Sequence, residues 1–207
     1  MYMRGIIISL AMAGAVFLGS SSVATARGSE LDDARQFIEG LADNAVSALT
    51  VTEISNEERV KRFRTIIDRN FAIPTIGRWV LGKYWRAASE DERREFLELF
   101  ERLMISTYVD RFANYSGEKL SVIRAAQIDE SDILVSSQIV GPGGGEPLSV
   151  DWRVRKRDNA FKIVDVIVAG VSMGQTQRSE FGSVIRSNGG NVSVLLSELR
   201  KRVGSGI

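Results

Sequence analysis

The chain has 207 residues, with 27 Lys and Arg against 26 Asp and Glu, and neither His nor Cys. That composition excludes disulfides, Ser-His-Asp and Cys-His machinery and zinc held by His or Cys, and leaves carboxylate- or Lys-based catalysis open. So even a charge balance also lacks the basic footprint that nucleic acid demands.

Met1-Tyr-Met-Arg4 precedes an apolar run from Ile6 to Leu18 and the small-x-small triplet Ala24-Thr-Ala26. This is the layout of a secretory signal peptide, residues 1–26, cut after Ala26. The rival reading is an uncleaved anchor, because Gly5 to Ala26 carries no charge. The apolar core is short, however, for a span of about 20 residues. Residues 27–207 then form a single domain, large enough to bury about 70% of its unfolded surface.

Leu31, Ala34, Ile38, Leu41, Ala42, Ala45 and Leu49 recur at helical spacing and predict a first amphipathic helix. Ser55-Asn-Glu-Glu58 is a capping box for a second, with Val60, Phe63, Ile66 and Ile67 on its apolar face. Pro74 suits the first turn of a short third helix ending at Leu81. Ser89-Glu-Asp-Glu92 opens the longest helix, which runs to about Tyr115. The pattern then changes period. Lys119 to Ile128, Asp132 to Val140, Pro147 to Arg157 and Ala160 to Val168 read as strands joined by short turns, an antiparallel meander. Gly170 to Met173 reads as the end of the last strand. Helices over about Gln175 to Ser187 and about Asn191 to Val203 close the chain, with Glu180 in the first turn of the former. The fold class is therefore α+β: a four- to five-stranded antiparallel meander packed against about six helices.

Four features invite chemistry. Gly141-Pro-Gly-Gly-Gly-Glu-Pro147 is glycine-rich, but no Lys-Ser or Lys-Thr follows and the next element is a strand, so a hairpin loop is the simpler reading. Asp165, between Ile163 and Ile167 on one strand face, is either a general acid or base or a hydrogen-bonded structural carboxylate. Arg153, Arg155, Lys156 and Arg157 either blunt a strand edge or meet lipid head groups or an acidic protein. In the segment Ile73 to Arg86, Trp79, Tyr84 and Trp85 interleave with Arg78, Lys83 and Arg86. It serves either as core with snorkelling cations or as an apolar cavity with cations at its mouth. The last strand places Val164, Val166 and Val168 on one face and Phe161, Ile163 and Ile167 on the other, so both faces want apolar neighbours.

Two of these segments carry a resemblance. Phe71-Ala-Ile-Pro-Thr-Ile-Gly-Arg-Trp-Val-Leu-Gly-Lys-Tyr-Trp-Arg-Ala-Ala-Ser89 continues into Glu95-Phe-Leu-Glu-Leu-Phe100 and Thr107-Tyr108. Val164-Asp-Val-Ile-Val-Ala-Gly-Val-Ser-Met173 is followed by Gln177-Arg-Ser-Glu-Phe181. Together they resemble the toluene-tolerance family, the MlaC-type periplasmic phospholipid-binding proteins of the Mla ABC transport system. The resemblance implies a carrier with a lipid cavity between sheet and helices. It would shuttle phospholipid between an outer-membrane lipoprotein complex and an inner-membrane ABC transporter complex, with transient membrane-surface contact. A related branch implies a hopanoid instead. No catalytic residue, metal or cofactor is implied; the bound lipid is the ligand.

On that basis the expected cavity walls are Phe71, Ile76, Trp79, Val80, Phe100, Met104, Tyr108, Val150, Trp152, Val164, Val166, Val171 and Met173. Arg78, Lys83, Arg86 and Arg178 are the expected head-group or docking residues. Arg178 stands out because a cation near a helix N-terminus opposes the dipole. The competing functions are a dehydratase- or isomerase-like enzyme built around Asp165, and a ligand-free envelope adaptor.

Overall fold

The computed structural model describes residues 21–51 and 53–204. The helices are α1 (Ser21–Leu49), α2 (Asn56–Asn70), α3 (Ile73–Leu81), α4 (Tyr84–Ala87), α5 (Glu90–Ala113), α6 (Met173–Ser187) and α7 (Val192–Gly204). The strands are β1 (Lys119–Gln127), β2 (Asp132–Val140), β3 (Leu148–Arg157), β4 (Ala160–Val168) and β5 (Val171–Ser172). The expected α+β class stands, with one helix more than anticipated: the single turn α4, too short to show a periodicity. Most of the proposed signal peptide, residues 1–20, lies outside the described residues, and the expected cut after Ala26 falls inside α1. Among the described residues no helix is long and apolar enough to cross a membrane.

Local chemistry sets most boundaries. Ser55 Oγ accepts the Glu58 backbone N–H at 3.2 Å and starts α2. Ser89 and Glu92 form the reciprocal capping box that starts α5. The five strands form one antiparallel sheet in sequence order. Asp158 and Asn159, both at positive φ, make the two-residue turn between β3 and β4. The glycine-rich segment 141–147 joins β2 to β3, as a hairpin loop should.

The strand phase differs from expectation. Val154 pairs with Ile163 but Arg153 pairs with Asp165, so Val164 is the extra residue of a β-bulge. One inserted residue reverses the alternation. Phe161 and Ile163 before the bulge therefore share a face with Val166 and Val168 after it, and Asp165 faces away from Ile163. The end of the sheet is also different. Ala169 and Gly170, at φ 49° and 80°, turn the chain back on itself. Val171 and Ser172 then pair antiparallel with Val168 and Ile167 as β5 instead of extending β4.

Two apolar clusters result. One joins α2, α3, α5, α6, α7 and the end of α1 at Ala45 and Leu49, with Phe96 and Phe100 stacked at 5.7 Å and Phe181 edge-on to both. The other joins Ala34, Ile38 and Leu41 of α1 to Ile133, Val135, Val154 and Ile163 of the sheet. Ile66 and Phe71 are the residues that pack against both. The sheet is packed by α1, α2, α3 and α6, whereas α5 packs on α1, α2, α3 and α7.

Candidate functional site

The inner face of the sheet is an apolar floor. Val135, Trp152 and Val166 lie in one cross-strand row, and Ser137, Val150 and Val168 in the next. Ser137 is 1% exposed. Its hydroxyl donates to the Val150 carbonyl at 2.8 Å and accepts from Trp152 Nε1 at 3.0 Å. The indole is thus pinned over the floor with its polar atom satisfied. Sequence reading overlooked Ser137. Its signal was its position in alternation with Ile133 and Val135.

The expected walls fall into three groups. Ile76, Val80 and Phe100 are buried inside the helical cluster, with Met104 and Tyr108 half-buried against it. Val150 is buried on the floor, and Trp152, Val166 and Phe71 pack on the sheet-side cluster. Val164 is the bulge residue, and Met173 is the half-buried first residue of α6. Trp79 and Val171 are 41% and 53% exposed.

The α3–α6 seam is held by polar contacts that the sequence did not reveal. Asp165 Oδ1 accepts the backbone N–H groups of Val166 at 2.9 Å and Gly174 at 3.1 Å, and Oδ2 accepts the Ser172 hydroxyl at 2.6 Å. Ser172 Oγ in turn accepts the Gln175 N–H at 3.0 Å and caps α6. Asp165 is therefore a latch between β4 and the α6 N-terminus. The helix starts at Met173, earlier than expected, because Ser172 is available as cap. Glu180 consequently lies beyond the first turn, where it pairs with Arg202 of α7 at 2.5 Å.

Arg178 also has an internal role. Its Nη1 donates to the Trp79 carbonyl at 2.7 Å, at the C-terminal end of α3, and its guanidinium lies 5.2 Å from the Trp79 ring centroid. A cation is favourable at that end of α3, which resolves its unfavourable place on α6. Gly174 lets the ring approach: a Cβ there would stand 2.8 Å from Trp79 Cζ3. Arg78, Lys83 and Arg86 are exposed along α3 and α4, with the Lys83 ammonium 5.1 Å from the Tyr84 ring centroid.

On the opposite sheet face Asp132 is fully buried beneath two guanidinium groups, accepting from Arg153 Nε at 2.5 Å and from Arg155 at 2.5 and 2.9 Å. Burial disfavours its charge, but the Arg155 and Arg153 hydrogen bonds outweigh burial and hold the carboxyl below its ordinary range. The basic run at the end of β3 is therefore partly occupied in a structural network. Among the described residues no acidic cluster has the arrangement of a metal site.

Among the described residues, two surface depressions lie outside the expected walls. One, of about 300 Å³, is lined by Glu30, Gln127, Glu130, Lys156 and the Asp158–Asn159 turn. The other, of about 360 Å³, lies along α7 at Val194, Ser197, Glu198, Lys201 and Arg202. Neither includes an expected wall residue.

The model of the family described as MlaC protein matches residues 39–201. The chain belongs to the MlaC family. Among individual MlaC-family relatives, it is 23% identical over 159 residues to the intermembrane phospholipid transport system binding protein MlaC of Haemophilus influenzae, covering 71% of this chain and 73% of that one. The toluene tolerance protein ttg2D of Pseudomonas putida is 24% identical over 110 residues, 53% of this chain and 51% of that protein. A solved phospholipid-binding protein from Ralstonia solanacearum, in complex with a phospholipid, has the same fold at TM-score 0.72 and 22% identity. The match covers 83% of this chain and 97% of that structure.

Proposed function

We propose that this MlaC-family chain is a periplasmic carrier of phospholipid, whose acyl chains insert at the seam between the sheet floor and the helical cluster. The carrying observation is that seam. A domain of this size ordinarily has one main core with smaller satellite clusters. Here the satellite lies against the sheet, and the two clusters meet through Ile66, Phe71 and the length of α1, while α5 packs on helices. Parting them exposes apolar walls on both sides: Phe71, Val150, Trp152, Val164 and Val166 below, and Ile76, Val80, Phe100, Met104 and Tyr108 above, with Trp79, Val171 and Met173 at the α3–α6 end.

Such a device needs little chemistry. Each acyl CH₂ left in water costs about 0.8 kcal/mol, so a chain of ~15 costs roughly 12 kcal/mol. A wall of bilayer-like polarity cancels most of that cost and leaves loading reversible. Asp165, the residue an enzyme would need, is engaged in three structural hydrogen bonds. Export with cleavage after Ala26 puts the remaining single domain, residues 27–207, between two membranes. The name of the Haemophilus influenzae relative supports a role within an intermembrane transport system. The partners are then an inner-membrane ABC transporter complex and an outer-membrane lipoprotein complex.

Organic extraction and mass spectrometry of natively purified protein test the reading. Stoichiometric phospholipid is the expected result, and a hopanoid would redefine the cargo. Protein that contains no lipid and cannot be reloaded with any would refute the carrier function.

A further inference from the structure

From Phe71 to Ser89 the chain contains no carboxylate, and Arg78, Lys83 and Arg86 are all exposed there. A second acid-free run, Val166 to Ser179, contributes Arg178. The fold brings the two runs together, since the Trp79 ring lies against Gly174 and beneath the Arg178 guanidinium. The exposed Val171 is three residues ahead of Gly174, within about 10 Å even along extended chain. Glu90, beside Ser89, is exposed, but three other acids that border the two runs are committed elsewhere. Asp165 is turned onto Val166, Ser172 and Gly174, Glu180 onto Arg202, and Asp91 onto Arg94. Arg78 and Arg86 have no carboxylate partner among the described residues. In a chain with 27 basic and 26 acidic residues, this is a local concentration of one sign.

We infer that this face, α3, α4 and the start of α6, docks the protein on anionic phospholipid bilayers. Cations near a negatively charged surface gain from its potential, and an indole favours the head-group layer. Trp79 and Val171 are exposed beside these cations, and they are the apolar tips that a head-group layer admits. The inference extends the carrier reading without resting on it.

Co-flotation of the purified protein with vesicles of phosphatidylcholine, alone or mixed with phosphatidylglycerol, tests the proposal. Recruitment should require phosphatidylglycerol, weaken with salt, and shift the tryptophan emission to the blue in a way that Trp79→Phe abolishes. Each cation at such a surface raises the partition coefficient about fivefold, so neutralising Arg78, Lys83 and Arg86 to Gln together should lower it about a hundredfold. Should the triple variant fail the circular dichroism check, Lys83→Gln alone should lose about fivefold. Equal recruitment to both vesicles, or wild-type partitioning by the neutralised variants, overturns the proposal. Absence of recruitment overturns it as well. Lipid analysis of the same preparations separates the two readings: lipid without recruitment defeats only docking, and recruitment without lipid defeats only the carrier.

Discussion

Asp165→Ala removes the latch between β4 and α6. The carboxylate accepts three hydrogen bonds, from Val166, Ser172 and Gly174. Bonds to a charged acceptor contribute about 1.5–3 kcal/mol each, but the site is only half-buried and one hydroxyl serves both the latch and the α6 cap. Water replaces part of the loss, so the expected net cost is about 3 kcal/mol. For a domain of this size that corresponds to a fall in Tm of roughly 10 °C. Asp165→Asn keeps an oxygen for the two backbone N–H groups and should cost only about 1 kcal/mol. Urea and thermal unfolding followed by far-UV circular dichroism measure both variants. The Asn variant should still carry lipid, because the carboxylate touches structure and not cargo. An Ala variant within about 0.5 kcal/mol of wild type would refute the latch. An Asn variant of wild-type stability that no longer handles lipid would return the carboxylate to a functional role.

Three further outcomes are expected. The Asp132 carboxyl is held below the ordinary value of about 4, so its stabilisation is complete above that value and is lost as pH falls through its lower folded value. Urea midpoints across the acid range should therefore decline more gently in Asp132→Asn, and a parallel decline would contradict the network. Gly174→Val drives a side chain into the Trp79 ring and towards Asp165 Oδ1, 3.1 Å from an added Cβ, and should cost about 1–3 kcal/mol with a changed tryptophan emission. Arg178→Glu strips the Trp79 carbonyl of its donor and removes the cation from the ring; a loss of about 1–2 kcal/mol in thermal unfolding is expected, where a merely solvated charge would give none.

Local signals carried a long way. The capping serines Ser55 and Ser89 mark the starts of α2 and α5 because a hydroxyl facing the first turn acts within three residues. Strands β2 and β4 have the bounds that their alternation and flanking turns predict. The candidate site was legible as a set of residue types and less so as an arrangement. Trp79 and Arg178 were each conspicuous in the sequence, but nothing in either segment announces that a guanidinium on α6 serves the Trp79 carbonyl near the end of α3.

What the amino-acid sequence determined by itself was the chemistry available and the order of elements: no imidazole or thiol, an α+β plan, an antiparallel meander and an aromatic, cationic segment before the long helix. These follow from composition and from interactions a few residues apart. The tertiary structure alone decided the facing of residues. The bulge at Val164 exists only in the pairing of β4 with β3, so its reversal of inside and outside cannot be read from β4. The latch from Asp165 to Ser172 and Gly174 needs the chain to turn at Ala169 and Gly170 before any of those groups can meet. The division of the apolar residues into two clusters, joined at Ile66 and Phe71, depends on which helices reach the sheet. Burial has no direction along a chain, and it acquires one only when the layers are assembled.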